Sequence, residues 1–237
     1  PYSFAEARAK LVSDLKNVIG EIDSKQPNQC ANGEIVVKFI QHPSYLAKSY
    51  YPSQLFKKFG IKDVGSRSVK VKPRKWAVKK HPVEGLASCI FVSGSLSKFE
   101  AMLNAVAHEH LPDVTQRLIR SIEQVSSFSA LEKVKAIDES SQTLRLEVVL
   151  HAEATDRTVF QSFTEYAEAL GGMVDWKRSK NVGGLTFLPV EISKGLESEL
   201  AEFSHIRALR SVPKLRFNRP DAIRATLEES FTLPKYE

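Results

Sequence analysis

Cysteine is scarce in this sequence, and its placement argues against two kinds of site. The chain of 237 residues has two cysteines, Cys30 and Cys89, with no CxxC spacing between them. Disulfide frameworks and zinc sites need several cysteines at short spacings, so neither is predicted. Cys89 precedes Ile90 and Phe91 in a strand-like run, where a small core residue is favoured over a reactive thiol. With so few thiols, a reducing cytoplasm is the predicted location.

Long apolar runs and the usual cofactor motifs are also missing. No stretch approaches the roughly 20 apolar residues that a membrane helix requires, so no membrane partner is predicted. The glycines lack the spacing and the following Lys-Ser or Lys-Thr of a phosphate-binding loop. His108-Glu109-His110 is the one histidine cluster, and residues two apart on a helix point to nearly opposite sides. We therefore predict no cofactor and no metal site.

The region from Leu144 to Phe217 alternates strand and helix signals. In Leu144–His151, apolar residues alternate with polar ones, as in a half-buried strand. Apolar spacing and Gly, Asp and Pro signals predict the later elements. A helix is capped by Asp156 and ended by Gly171-Gly172, and strands Met173–Lys177 and Gly184–Val190 follow, joined by a tight reversal at Arg178–Gly183. A helix then starts at Ser193, and a last strand covers Ile206–Val212. The order βαββαβ is that of a ferredoxin-like unit. Its predicted core contains Phe160, Phe163, Leu170, Phe187, Leu196, Leu200 and Phe203.

The preceding residues repeat this order less clearly. Tyr2–Ile22 has the apolar stripe of a helix that docks on the rest of the protein, and a linker follows it. The later signals predict a strand Ile35–Ile40, a helix Ser53–Phe59 and strands Ile61–Val71 and Leu86–Val92. They then predict a helix from Ser95, a helix from Asp113 and a last strand Leu131–Ile137. The helix from Asp113 carries Leu118, Ile119, Ile122 and Val125. We predict an α+β protein with two tandem ferredoxin-like units, antiparallel sheets and an N-terminal helix. The predicted boundaries are residues 1–33, 34–140 and 141–237.

A faint repeat links the two units. Five identical or similar residues recur 96 positions apart: Phe91, Val92, Leu96, Ser97 and Lys98 match Phe187, Leu188, Ile192, Ser193 and Lys194. Both sets fall at the third strand and the start of the next helix in the predicted order. A duplicated unit would give this placement, and chance similarity of two strand-to-helix turns is the alternative.

Three segments of the second unit resemble a known family. They are Gly183-Gly184-Leu185-Thr186-Phe187-Leu188-Pro189-Val190, Leu200-Ala201-Glu202-Phe203-Ser204 and Arg207-Ala208-Leu209-Arg210-Ser211-Val212-Pro213-Lys214-Leu215-Arg216. They resemble the segment upstream of the catalytic domain in bacterial subtilisin-like serine peptidases. Weaker similarity extends through Gly60-Ile61, Phe91-Val92-Ser93-Gly94 and Leu146–His151, so the resemblance covers most of Glu34 to Arg216. It implies the βαββαβ fold of subtilisin prodomains and a bacterial chain that assists the folding of a peptidase domain and inhibits it.

The catalytic part of such a peptidase is missing from the sequence. No Asp-Gly follows a strand, and neither His-Gly-Thr nor Gly-Thr-Ser-Met occurs in the chain. Without these residues the chain has no Asp, His and Ser triad, and we predict no catalytic residue. The predicted function is a non-catalytic prodomain-like region, with the peptidase domain as its partner in cis or after cleavage. A stand-alone adaptor for another protein is an alternative.

Positive charge is concentrated between Lys57 and Lys80. This stretch carries a charge of +9, against +6 for the whole chain, and Trp76 lies within it. A basic face with an aromatic residue suits a nucleic-acid-binding module, whereas a solvated hairpin with alternating lysines is the simpler interpretation. An RNA-recognition signature is absent, because the third strand of the second unit offers a single aromatic, Phe187. The residues that would contact phosphates are Lys57, Lys58, Lys70, Lys72, Arg74, Lys75, Lys79 and Lys80.

The end of the chain is predicted to be extended. Pro234 is incompatible with a helix, and Thr232 and Leu233 favour an extended backbone. In the resembled prodomains, the residues after the last strand enter the peptidase cleft as a substrate does. Here the corresponding cleft-binding residues are Phe231, Thr232, Leu233, Pro234, Lys235, Tyr236 and Glu237. A helix-like segment through Ile223 and Leu227 lies between the last strand and this tail. This departs from the family pattern, so the sequence does not identify the bond that would be cleaved. A frayed chain end is the alternative.

Overall fold

The first unit is an antiparallel sheet of four strands with helices packed on one face. The computed structural model describes residues 1–76, 83–138 and 141–212 of the chain. The elements of this unit are α1 (Phe4–Asp23), β1 (Glu34–Gln41), α2 (Ser53–Lys58), β2 (Lys62–Val71), β3 (Gly85–Ser95), α3 (Leu96–His108), α4 (Asp113–Arg120) and β4 (Ile122–Ser127). The strands are hydrogen-bonded in the order β2-β3-β1-β4, which is the strand order of a ferredoxin-like unit.

The second unit repeats this arrangement after a short helical connection. Its elements are α5 (Ala130–Lys133), which makes the connection, then β5 (Thr143–Leu150), α6 (Arg157–Ala169), β6 (Met173–Val174), β7 (Lys180–Val182), β8 (Leu185–Ser193), α7 (Glu197–Leu200) and β9 (Ile206–Ser211). The strands pair in the order β6-β8-β5-β9, and β7 pairs with β8. The predicted fold class, α+β with two tandem ferredoxin-like units behind an N-terminal helix, is confirmed. The domain boundaries at residues 33 and 140 stay predictions.

The N-terminal helix packs onto the first unit, as its apolar stripe predicts. Ser3 and Glu6 form a capping box: the Ser3 hydroxyl accepts from the Glu6 amide at 3.3 Å, and the Glu6 carboxylate accepts from the Ser3 amide at 2.8 Å. Leu11, Leu15 and Val18 are buried in the core that α1 forms with β4, α3 and α4. Within the described ranges, no helix is both long enough and apolar enough to cross a membrane.

The core of the second unit lies between its helices and one face of its sheet. Phe163, on α6, is fully buried, and its ring lies edge-on to that of Phe203 with 5.4 Å between centroids. Leu200 is also fully buried, whereas Phe160, Leu170 and Leu196 are partly buried at the margin of the core. The placement of Phe187 in this core was wrong. Phe187 pairs with Val149 and lies on the other face of the sheet, because Leu188 and Val190 occupy the core positions of β8.

The fourth strand of the first unit lies earlier in the chain than the sequence predicts. The helix predicted through Ile122 and Val125 ends at Arg120, and β4 begins at Ile122. Pairing with β1 shifts register between Ile40 and Gln41, so that Glu123 is an extra residue in β4. This bulge brings Ile122 and Val125 to the same core face three residues apart, which imitates helical spacing. The predicted strand Leu131–Ile137 is therefore wrong; it contains α5 and a single bridge from Val134 to Leu209.

Three local predictions in the second unit are also corrected. Ser193 ends β8 and starts no helix, because Gly195, with φ of 95°, turns the chain before α7. Only the first two residues of the predicted strand Met173–Lys177 are extended, and Trp176 begins a short 3-10 helix. The predicted reversal Arg178–Gly183 contains β7, and the turn itself is Gly183-Gly184, with φ of 57° and 78°.

Replacement of Phe163 by Ala tests the assignment of the second core. Because the ring is fully buried between α6 and the sheet, the change should lower the free energy of unfolding by roughly 3–5 kcal/mol. Denaturant melting measures this loss. Leu131→Ala is the control: Leu131 is 85% exposed on α5, so that variant should stay within about 0.5 kcal/mol of the parent chain. Equal stability of the two variants would mean that the α6 face is misassigned.

Candidate functional site

The second unit covers the open face of the first sheet, which lies away from α1 and α3. Val36, Cys89 and Phe91 project from this face and are buried together with Phe128, which precedes α5. The ring of Phe91 lies 5.1 Å from that of Phe128 and 4.7 Å from that of His151, the residue after β5. Burial raises the pKa of the Cys89 thiol, and the prediction of a small core residue is confirmed. The apolar part of this face is thus internal to the protein.

Hydrogen bonds between buried groups fix the second unit on this face. The Nδ1 atom of His151 donates to the Val64 carbonyl at 3.1 Å, and the Nε2 atom of His205 lies 3.2 Å from the Ser93 hydroxyl. His151 and His205 are 1% and 2% exposed. Burial lowers the pKa of His151 to about 3 and that of His205 to about 4, so both rings are neutral near pH 7. These contacts join residues that are far apart in the sequence.

Lys133 anchors the connection between the units. Its side chain is 1% exposed, and its Nζ atom donates to the carbonyls of Ala201 and Phe203, both at 2.8 Å. The same atom lies 5.6 Å from the centre of the Phe128 ring. Burial lowers the pKa of Lys133 to about 7. The sequence places Lys133 in the wrongly predicted last strand and gives no signal of this buried role.

The side chains of Ser93 and His205 are within hydrogen-bond distance, as those of a catalytic serine and its histidine base would be. In a catalytic triad, a carboxylate orients the histidine through its other nitrogen. Here the Nδ1 atom of His205 instead meets the Ser204 hydroxyl at 3.0 Å. The Ser93 hydroxyl donates to the Glu34 carboxylate at 3.2 Å. The group is therefore a bridge between the units and lacks the arrangement of a triad.

The corresponding face of the second sheet is exposed along the edge strands β6 and β7, whereas Val149 in its middle is 4% exposed. Met173 on β6 pairs with Glu191, and Val182 on β7 pairs with Leu185, which places both on the face opposite α6. Met173 is 62% exposed and Val182 is 64% exposed. Their partners Glu191 and Leu185 are six residues apart on β8, so these are two separate exposed apolar positions on one sheet face, which we take as the candidate protein-binding surface. We call this surface the open face of the second sheet; its further residues are Arg145, Glu147, Val149, Phe187, Pro189, Glu191, Ala208 and Arg210.

A depression of about 280 Å³ lies at the β6 side of this open face. Met173 and Pro189 give it an apolar floor, and an ion pair between Arg145 and Glu191, 3.7 Å apart, lies at its rim. Its volume can hold one large side chain of a partner. The open face thus combines exposed apolar residues, a pocket and a charged border.

Two of the predicted basic residues that the structure describes form ion pairs within the first unit. Lys58 pairs with Glu109 at 3.3 Å, and Lys75 pairs with Glu6 at 2.9 Å. Lys57, Lys70, Lys72 and Arg74 are exposed, at different parts of the first unit from the end of α2 to the end of β2 and beyond. Lys79 and Lys80 lie outside the described residues. Nucleic-acid binding by this stretch stays a prediction.

Trp76 is packed against the first unit. Its ring lies edge-on to that of His42 at 5.5 Å between centroids, and its Nε1 atom donates to the Val83 carbonyl at 3.0 Å. A ring held in this way is less available to stack on a base. The geometry of Trp76 therefore favours a structural role.

The predicted tail Phe231–Glu237 lies outside the described residues, as does the helix-like segment before it. Its role as a cleft-binding segment stays a prediction. The described chain extends to Val212, one residue beyond β9.

Comparisons with known proteins give no family assignment. No family model matches the chain, and no curated protein matches it. Among solved structures, the small subunit of acetolactate synthase from Thermotoga maritima aligns at 11% identity, 74% of this chain, 91% of that chain and a TM-score of 0.23. A protein of unknown function from Galdieria sulphuraria aligns at 12% identity, 71% of this chain, 86% of that chain and a TM-score of 0.21. A putative glycine cleavage system transcriptional repressor aligns at 12% identity, 68% of this chain, 81% of that chain and a TM-score of 0.18.

The buried histidines predict that stability falls in mild acid. The folded pKa values of His151 and His205 lie below the unfolded value of 6.5, so the unfolded chain binds more protons between about pH 6.5 and 4. Their contribution is complete above pH 6.5 and is lost as the pH falls toward the folded pKa values, by on the order of a few kcal/mol. Denaturant melts at intervals between pH 7.5 and 4.5 measure this slope. The charged groups around the rings are Glu34, Lys62, Lys133, Asp156 and Arg207.

A double variant, His151→Gln and His205→Gln, separates this effect from the titration of carboxylates. It should be less stable at pH 7 and should show a shallower loss of stability between pH 6.5 and 4.5. His108→Gln is the control, because His108 is exposed at the end of α3. The same slope in the double variant and the parent chain would contradict the assignment of the two rings.

Proposed function

We propose that this chain is a prodomain-like module that binds a subtilisin-like serine peptidase domain through the open face of the second sheet. In this role it assists folding of the peptidase domain and then inhibits it. The proposal joins a sequence resemblance to a structural asymmetry between two units of the same fold. The second unit supplies the docking surface, and the first unit supports it.

The asymmetry of the two sheets is the observation that carries the proposal. Phe91 on β3 and Phe187 on β8 lie at the 96-residue offset of the predicted repeat, and each pairs with the first strand of its unit, at Lys38 and Val149 respectively. Phe91 is fully buried, because the second unit covers its face. Phe187 is half-buried, on a face where Met173 is exposed. The second sheet therefore presents a surface equivalent to one that the first sheet already uses for docking.

The family-like segments fall on the strands of this surface. Gly183–Val190 comprises the hairpin turn and most of β8, and the described part of the third segment, Arg207–Val212, comprises most of β9. Leu200–Ser204 adds buried residues beneath the sheet. The resemblance and the exposed face thus coincide in the second unit, which supports the assignment of the surface to a peptidase partner.

The depression beside Met173 gives the proposed interface an anchor point. Interfaces draw most of their binding free energy from a few apolar side chains seated in pockets, with charged pairs at the rim. The pair of Arg210 and Glu147, with a hydrogen bond of 2.7 Å, lies toward the β9 side of the face. The peptidase would seat an apolar side chain in the depression and meet polar residues at this border.

Acidic substitutions on the open face test the docking surface. Met173→Asp and Val182→Asp together place two charges where apolar contact is proposed, so the affinity for a subtilisin-like catalytic domain should fall at least tenfold. Both side chains are exposed, so the free energy of unfolding should change little. Titration calorimetry with an inactivated catalytic domain measures the affinity, and denaturant melting measures the fold.

Val114→Asp is the matched control for this pair. Val114 is 47% exposed on α4, on the helical side of the first unit. Its substitution adds one negative charge, against two in the pair, at an exposed apolar site and should leave the affinity unchanged. Equal loss in the control and the double variant, or no loss in either, would remove the open face from the interaction.

Removal of the predicted tail separates docking from inhibition. If Phe231–Glu237 enters the peptidase cleft as an extended substrate-like strand, deletion of these residues should relieve most of the inhibition and leave the affinity largely intact. Full and shortened chains are titrated against the catalytic domain, with affinity and residual peptidase activity measured separately. Equal inhibition by the two chains would remove the tail from the mechanism, and no binding by either would contradict the proposed function.

A further inference from the structure

Two arginines contact the Phe91 ring and have no ionic partner among the described residues. The guanidinium carbon of Arg67 on β2 lies 5.5 Å from the ring centre, and that of Arg207 on β9 lies 5.1 Å from it. Neither forms an ion pair with the described residues, and the buried Nε atom of Arg67 has no hydrogen-bond partner there. By contrast, Arg145 and Arg210 of the second sheet pair with Glu191 and Glu147. In the part of the chain that the structure describes, Arg67 and Arg207 are thus unpaired.

Backbone irregularities in both units create this arrangement. Pairing of β9 with β5 shifts register between Val149 and Leu150, so that Arg207 is the extra residue of a bulge and reaches the first sheet. There its Nη2 atom donates to the Ser66 carbonyl at 3.1 Å. The facing strand makes room with Gly65, where φ is 131° and an added Cβ would lie 3.2 Å from the Nη1 atom of Arg207. The bulge in β9 and Gly65 in β2 thus together allow the Arg207 guanidinium to reach the first sheet.

Two half-buried guanidinium groups near each other carry an electrostatic cost. Burial lowers the pKa of Arg207, and the charge of Arg67 lowers it further. Contact with the Phe91 ring offsets part of this cost, because the ring face attracts cations. A carboxylate between the groups would offset much more, since guanidinium groups bind carboxylates through paired hydrogen bonds.

We propose that Arg67 and Arg207 form a carboxylate-binding site, and that its occupant is an acidic side chain of the partner docked on the open face of the second sheet. The identity of the occupant rests on the proposed function. Ala208, the neighbour of Arg207, pairs with Val149 and lies on that open face. The site is therefore at the border of the docking surface, where charged contacts of an interface fix its register.

A small carboxylate tests the site without any partner. Thermal melts of the full chain in citrate and in NaCl of equal ionic strength should show a higher midpoint in citrate, since a ligand that binds the folded state stabilises it. Citrate also stabilises folded proteins in general, so the citrate effect is the part of this difference that the site contributes, and the double variant Arg67→Gln and Arg207→Gln should lose that part. The control Arg117→Gln and Arg157→Gln removes the same charge from two exposed helical positions and should keep it. Arg67→Lys with Arg207→Lys keeps the charge and should retain only part of the effect.

Affinity for the catalytic domain then tests the source of the carboxylate. The glutamine double variant should bind at least tenfold more weakly than the control pair, and citrate should compete with the peptidase for the parent chain. Retention of the citrate effect by the glutamine variant, or its absence from the parent chain, would overturn the site. A citrate effect with unchanged peptidase affinity would overturn the partner as its source. If no chain binds the peptidase, the proposed function fails while the citrate result still decides whether the site exists.

Discussion

The ring of Phe91 is the contact on which the arrangement of the two units depends. It projects from the open face of the first sheet and meets Phe128, His151 and Arg207, which come from the connection and from two strand ends of the second unit. An isolated ferredoxin-like unit would leave this aromatic ring in water. Its burial removes apolar area from solvent and also brings into the junction two neutral histidines and two guanidinium groups that have no ion pair with the described residues. The junction is therefore held by apolar contact, while its polar groups fix the geometry.

The last strands of the two units, β4 and β9, contain the same bulge. Signals around that bulge explain why β9 was recognised from the sequence and β4 was missed. In β4 the core residues Ile122 and Val125 are three apart, and in β9 Ile206 and Leu209 have the same spacing. The second pair is followed by Pro213, which marks the end of a strand. No comparable signal separates Arg120 from Ile122, so the helical period of α4 was extended through the strand. A spacing of three is ambiguous wherever a bulge adds one residue.

Most strands could be predicted because they depend on local periodicity, whereas the junction depends on contacts between distant residues. The apolar alternation in β1, β3, β5 and β8 was enough to place the two sheets. The partners of His151 and His205, which are Val64 and Ser93, lie in the other unit. Nothing in the sequence near Lys133 indicates that two carbonyls of the second unit receive its ammonium group. The basic stretch shows the same limit, because nothing in the sequence indicates that Lys58 pairs with Glu109 and Lys75 with Glu6.

The two sheets share a fold but differ in what covers the face opposite their helices. Such a face in a four-stranded sheet is wide enough to need a second layer, and the first unit obtains one from within the chain. The second unit has short strands β6 and β7 at its edge, and these carry Met173 and Val182 into solvent. On the proposed function, Met173 and Val182 lie where the peptidase domain would supply the second layer, and the internal junction is the chain's own example of how such a face is covered.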